Sequence, residues 1–170
     1  PAQPEGLWSS PGSTLTWTPS TGEDRHRRAL YTFLRRTSPY PSLTTFDAPT
    51  REVCTARRIR TNTPLQALTT LNDPAFFEAA QALAARVLRE ASTDEARVVH
   101  AFRLTTARRP TSSEARATLA YVERERRSFA ADPTRAAQVA GEGSGDRAHA
   151  AAWTMAANVL LNLDETLTKE

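Results

Sequence analysis

"TPLQALTTLNDPAFFEAAQALAARVLRE", residues 63–90, twice places a helix-capping side chain directly before a proline. In the first case Thr63 can accept from the helix's own N–H groups and Pro64 occupies the first helical position, where its missing donor costs nothing. Gln66, at the third position, can reach back to the cap. Asp73-Pro74 repeats the signal, and Phe77, Leu83, Val87 and Leu88 then recur at the spacing of one helical face. Two adjacent helices start here, and no stretch of the chain alternates convincingly as a strand.

Toward the C-terminus the starts continue. Ser92 with Glu95 reads as a second capping box, opening a helix that buries Val98, Val99 and Phe102. Thr111 with Glu114 reads as a third, followed by Ala115, Leu119, Val122 and Phe129, with Glu123 and Arg127 as an exposed pair four residues apart. Asp132-Pro133 predicts a short helix and "GEGSGD", 141–146, a flexible loop. The last helix is predicted over 146–162, presenting Trp153, Ala156, Val159, Leu160 and Leu163.

Toward the N-terminus, "EDRHRRALYTFLRRTS", 23–38, predicts a helix with Leu30, Phe33 and Leu34 on one face and arginines mostly on the other, stopped by the prolines of "SPYPS". Irregular structure is expected from there to Asn62. Residues 1–22, rich in Pro, Gly, Ser and Thr, predict an extended arm or linker, with Leu7, Trp8, Leu15 and Trp17 apolar enough to staple it down. The fold class is all-α: about six helices in an irregular bundle, a long ordered loop and an extended N-terminal arm. The expected domains are 1–22 as arm and 23–170 as helical domain.

At 170 residues, 39% hydrophobic and 24% charged, the chain suits one domain. No apolar run approaches the ~20 residues that span a bilayer, so it is read as not membrane-spanning. With Pro1 as its first residue, the chain is expected to be a fragment or processed product. The net charge is +3 and the pI about 9.6, but Lys169 is the only lysine and alanine is abundant, as GC-rich coding produces without any partner. With no basic stripe carrying stacking aromatics, nucleic acid is not an expected partner. One cysteine excludes an intrachain disulfide and a cysteine-rich zinc site.

The loop, 46–62, carries Arg51, Arg57, Arg58 and Arg60 beside Asp47, Glu52 and Cys54. Loops of this length inside compact domains tend to be functional. Arg51, Arg57, Arg58 and Arg60 with Asn62 and Thr63, at a helix start with unpaired N–H groups, form the candidate site for a sulfate, phosphate or carboxylate. The competing reading pairs the arginines with Asp47, Glu52, Asp164 or Glu165. The last two are read at the C-terminus of the final helix, where the dipole disfavours them. Asp47 and Glu52 are weighed as an acid–base pair against plain charge partners. Cys54 is expected to be buried and inert rather than a reactive thiol. His26, His100 and His149 lie in separate predicted helices with no second ligand nearby, which predicts surface or capping roles and no metal site. Trp8, Trp17 and Tyr40 are read as anchors of the arm, the alternative being a sugar-stacking platform.

The residues 20–80, "STGEDRHRRALYTFLRRTSPYPSLTTFDAPTREVCTARRIRTNTPLQALTTLNDPAFFEAA", carry a resemblance. So do "AFRLTTARRPTSSE", 101–114, and "AAWTMAANVLLNLDETLTKE", 151–170. From about Pro19 onward the chain resembles the planctomycete-specific C-terminal domain of cytochrome-associated proteins, domain of unknown function 1553. The resemblance implies an exported, periplasmic or envelope-associated multidomain protein, upstream domains of the same polypeptide as partners, and an indirect link to anionic or sulfated polysaccharide. It also implies haem c in an upstream domain. The haem motif is absent here, so no cofactor is expected in these residues, and the family supplies no catalytic residues to carry over.

The function expected is therefore a non-catalytic helical module that docks on neighbouring domains or an anionic polysaccharide through the arginine-rich loop. The alternative is that the loop completes the active site of an envelope oxidoreductase or hydrolase acting on polysaccharide.

Overall fold

The computed structural model describes residues 6, 8, 17–57, 59, 61–141 and 145–168. Leu7, Leu15, Arg58, Arg60 and Lys169 lie outside these, as does the side chain of His26. Eight α-helices are described: α1 Pro41–Thr45, α2 Pro64–Asn72, α3 Pro74–Glu90, α4 Asp94–Thr106, α5 Ser112–Ala131, α6 Pro133–Ala140, α7 Arg147–Leu161 and α8 Asp164–Leu167. Among the described residues there is no strand, so the protein is all-α. It divides into two compact units, residues 1–66 and 67–170, with the division inside α2.

The helix starts follow their local chemistry. Asp73 accepts from Ala75 N–H with Pro74 beside it, and Asp132 does the same for Arg135 before Pro133. Thr111 and Glu114 satisfy each other's backbone donors in a complete capping box. Asp146 caps α7 by accepting from His149 N–H. One start moves by a residue: Thr93, not Ser92, caps α4, accepting from Ala96 N–H. Gly141 ends α6 at φ 76, a left-handed conformation that costs glycine little.

The unit 67–170 is built around α7, which packs against α5, α3 and α6. Nine of its residues are buried, five of them alanine, so the neighbouring helices can approach from several sides. Trp153 is the large buried side chain at its middle, and Val87, Val98, Phe102, Val122 and Phe129 complete the core. Val159, expected in the core, is 44% exposed. Glu123 and Arg127 pair at 2.9 Å as their spacing requires.

In the unit 1–66 the helix expected over 23–38 is absent. Only two 3-10 turns form, Gly22–His26 and Ala29–Tyr31. The apolar face is left largely uncovered: Leu30 is 70% and Phe33 60% exposed. A helix of this length is marginal in water without such packing, and Arg25, His26, Arg27 and Arg28 crowd its first turns, where the dipole disfavours positive charge. Trp8 takes the centre instead. It is buried, meets Trp17 edge-on at 5.1 Å and Phe33 at 5.6 Å, and donates its indole N–H to Ser38 O at 3.1 Å. The Arg35 guanidinium lies 5.5 Å from the Trp8 ring and donates to Trp8 O, while Trp17 stacks on Tyr40. These aromatic faces are spent on one another, the arrangement of an anchor.

Candidate functional site

The loop that follows α1 is closed by a polar knot. Asp47, at φ 56, accepts from Thr61 N–H at 2.8 Å and from the Thr61 hydroxyl at 2.8 and 3.0 Å. Gln66 completes the capping box of α2, its Oε1 accepting from Thr63 N–H at 2.9 Å while its own N–H donates to Thr63 Oγ1 at 3.3 Å. The same amide's Nε2 donates to Thr45 O at 2.9 Å, Thr61 Oγ1 at 3.0 Å and Asp47 Oδ2 at 3.2 Å. A side chain expected only to cap a helix thus also holds both ends of the loop together.

Beyond the knot the loop faces solvent. Arg51, Glu52, Cys54 and Arg57 are exposed, as are Val53 at 73% and Ile59 at 76%. Cys54 is therefore not the buried residue the sequence suggested. Nothing in the loop's composition offered it a core, since its apolar residues are too few to form one. Arg51 holds φ 63, a conformation uncommon for a side chain of its size. Glu52 donates its backbone N–H to Thr50 Oγ1. Asn62 is exposed and Thr63 half-buried.

A second constellation, in the unit 67–170, was missed in the sequence. Ala107 caps α4 at φ 61 and turns the chain so that Arg108 grips two carboxylates at once. Its guanidinium meets Glu114 at 2.7 and 2.9 Å and Glu165 at 2.5 and 2.8 Å, and lies 5.5 Å from the Phe102 ring. Asp164 and Glu165 open α8 rather than ending the preceding helix. The dipole mismatch inferred for them does not arise, and Glu165 pairs with Arg108.

The pH consequence has a definite sign. Hydrogen bonds from Arg108, then from Thr111, hold the Glu114 carboxyl down at about 2 from its ordinary 4.5, and Arg108 lowers Glu165 as well. A depressed carboxylate contributes stability that is complete above its unfolded value and lost as pH falls through the folded one. Thermal unfolding should show a stability loss between about pH 4.5 and 2, and Arg108→Ala should flatten that limb. An acid limb identical in both proteins would dismiss the clasp.

The third cluster joins α4 to α7. Asp94 Oδ1 accepts from Arg97 at 2.7 Å, and faces His149 Nε2 at 3.2 Å and Trp153 Nε1 at 3.3 Å. Burial raises the Asp94 carboxyl, but Arg97 and His149 outweigh it and leave the group below its usual value. His149 is thus mostly buried, and His100 is part-buried with Glu90 at 2.8 Å, both contrary to the surface roles expected. Their partners, ten and fifty-five residues away in sequence, could not be read locally. Among the described residues no three His, Cys, Asp or Glu side chains converge to hold a metal, and no helix is long and apolar enough to cross a membrane.

Fold and site together define an all-α protein whose long-range side-chain pairs form polar clasps. The chain belongs to PSD1, a family described as protein of unknown function (DUF1553), whose model matches residues 1–122. The match takes in residues ahead of Pro19 and the whole loop, and ends short of the closing segment that also carries the resemblance. No curated protein and no solved structure matches the chain.

Proposed function

We propose that the protein is a non-catalytic helical module of an exported, envelope-associated polypeptide, and that the loop between Asp47 and Thr61 docks it onto a neighbouring domain. The observation that carries this is a loop pinned at its base by Asp47, Thr61 and Gln66 while Arg51, Val53, Arg57 and Ile59 stand in solvent. A rigid base lowers the entropy lost on binding, and a surface mixing guanidinium with apolar groups suits a protein face carrying carboxylates. Asp47 is poorly disposed to acid–base work, because its oxygens already accept from Thr61 and Gln66.

Cys54 supplies the test. Its exposed thiol should react readily with a maleimide in the isolated 170-residue chain and be protected in the intact gene product. Equal labelling rates in the two would remove the docking reading. The polysaccharide version, supported by Arg51 and Arg57, predicts calorimetric binding of a sulfated glycan that Arg51→Ala with Arg57→Ala abolishes. Absence of heat with the unsubstituted protein would remove that version alone.

A further inference from the structure

A groove of about 470 Å³ lies in the unit 67–170, within the size range of small-molecule sites. The end of α3, the turn at 91–93 and α4 form it, with Arg109 contributed by the segment after α4. Its apolar lining is Ala91, Ala96 and Val99, and its polar lining is Ser92, Glu90, His100, Arg103 and Arg109.

The charges in this groove are unequally committed. Glu90 is shared among His100 at 2.8 Å, Arg86 at 3.1 Å and Arg89 at 3.5 Å. Arg103 and Arg109 are both exposed, and among the described residues their guanidinium groups have no hydrogen-bond or ion-pair partner. Arg109 is nevertheless well placed, because its carbonyl accepts from Arg108 at 3.0 Å and Arg108 is itself held by two carboxylates. Arg103 is carried on α4, one turn beyond Val99. Two uncommitted forks thus stand in a groove whose single carboxylate is already surrounded by positive groups.

We propose that this groove binds a small organic molecule bearing a phosphate, sulfate or carboxylate. The oxyanion sits at Arg103 and Arg109, where planar guanidinium groups meet paired oxygens. The apolar body lies over Ala91, Ala96 and Val99. This site is separate from the loop and does not depend on the docking proposal.

The test is titration with phenyl phosphate, followed by calorimetry and by backbone amide shifts. Phenyl phosphate should saturate with Kd below about 1 mM and bind at least about tenfold tighter than inorganic phosphate, since only it covers the apolar lining. Arg103→Ala with Arg109→Ala should weaken it about tenfold or more. Arg116→Ala, an exposed arginine bonded to Ser112 O, should leave it unchanged. In the unsubstituted protein the shifts should centre on 90–103 and 109. Lack of saturation by about 10 mM, equal affinity for inorganic phosphate, or an undiminished double variant would overturn the site. So would an equal loss in Arg116→Ala, or shifts centred elsewhere.

Discussion

Trp153→Ala should destabilise the unit 67–170 by about 3–5 kcal/mol, a large share of the ~5–15 kcal/mol available to a domain. Trp153 is 1% exposed at the middle of α7, and many members of the buried cluster it belongs to are alanine, among them Ala80, Ala84, Ala101, Ala150 and Ala157. Alanine has no rotamer with which to reach into a vacated volume, so the cavity would persist instead of collapsing. The indole N–H also donates to Asp94 Oδ1 at 3.3 Å and lies 3.1 Å from His149 Nε2. Trp153→Phe separates the two contributions. It keeps most of the volume and loses the donor, and should cost about 1–2 kcal/mol. Urea unfolding of both variants measures the difference. A Trp153→Ala cost under about 1 kcal/mol would show that α7 is not the helix on which this core is assembled.

Much of the fold was legible because helix starts are local events. Thr63-Pro64, Asp73-Pro74, Thr111 with Glu114, Asp132-Pro133 and Asp146 each carry their own capping chemistry within a few residues. The errors share the opposite property. Residues 23–38 have the right periodicity, but a periodic face makes a helix only if something covers it, and the coverage is a tertiary fact. At α4 two adjacent hydroxyls could cap. Thr93 does so, which leaves Asp94 in the first turn, where it meets His149 and Trp153 on α7. The aromatic anchoring of Trp8 and Trp17 followed from apolar residues in a polar arm. Tyr40 was read with them and does stack on Trp17, whereas Phe33, the edge-on partner of Trp8, was placed on a helix face instead. Of the polar sites, the loop was visible as an arginine-rich irregular stretch, and Gln66 as a cap. The clasp on Arg108 was not, because Glu165 lies 57 residues beyond it. Residue type signalled charge, while partner choice required the fold.

Gln66→Ala should cost about 2–4 kcal/mol of the stability of residues 1–66 and release the loop. Gln66 is 4% exposed, and of the residues it holds Thr45, Asp47 and Thr63 are half-buried while Thr61 is exposed. Thr63 N–H loses its acceptor, and Thr45 O, Thr61 Oγ1 and Asp47 Oδ2 lose the Nε2 donor that links them. Thr61 N–H keeps Asp47, but a carboxylate deprived of the Gln66 donor holds a weaker knot. The isosteric Gln66→Glu removes any ambiguity about volume. Its oxygens can still accept from Thr63, yet a carboxylate replaces the donor that faces Asp47 and Thr45 O, exchanging attraction for repulsion. Gln66→Glu should therefore be at least as damaging as Gln66→Ala at neutral pH, and should recover part of its stability as acid protonates it. Hydrogen exchange at the amides of 45–63 reads the loop directly, with Thr63 N–H showing the largest loss of protection in Gln66→Ala and Thr61 N–H a smaller one. If exchange there is unchanged in both variants, the loop is held by something other than Gln66, and a preformed docking surface loses its physical basis.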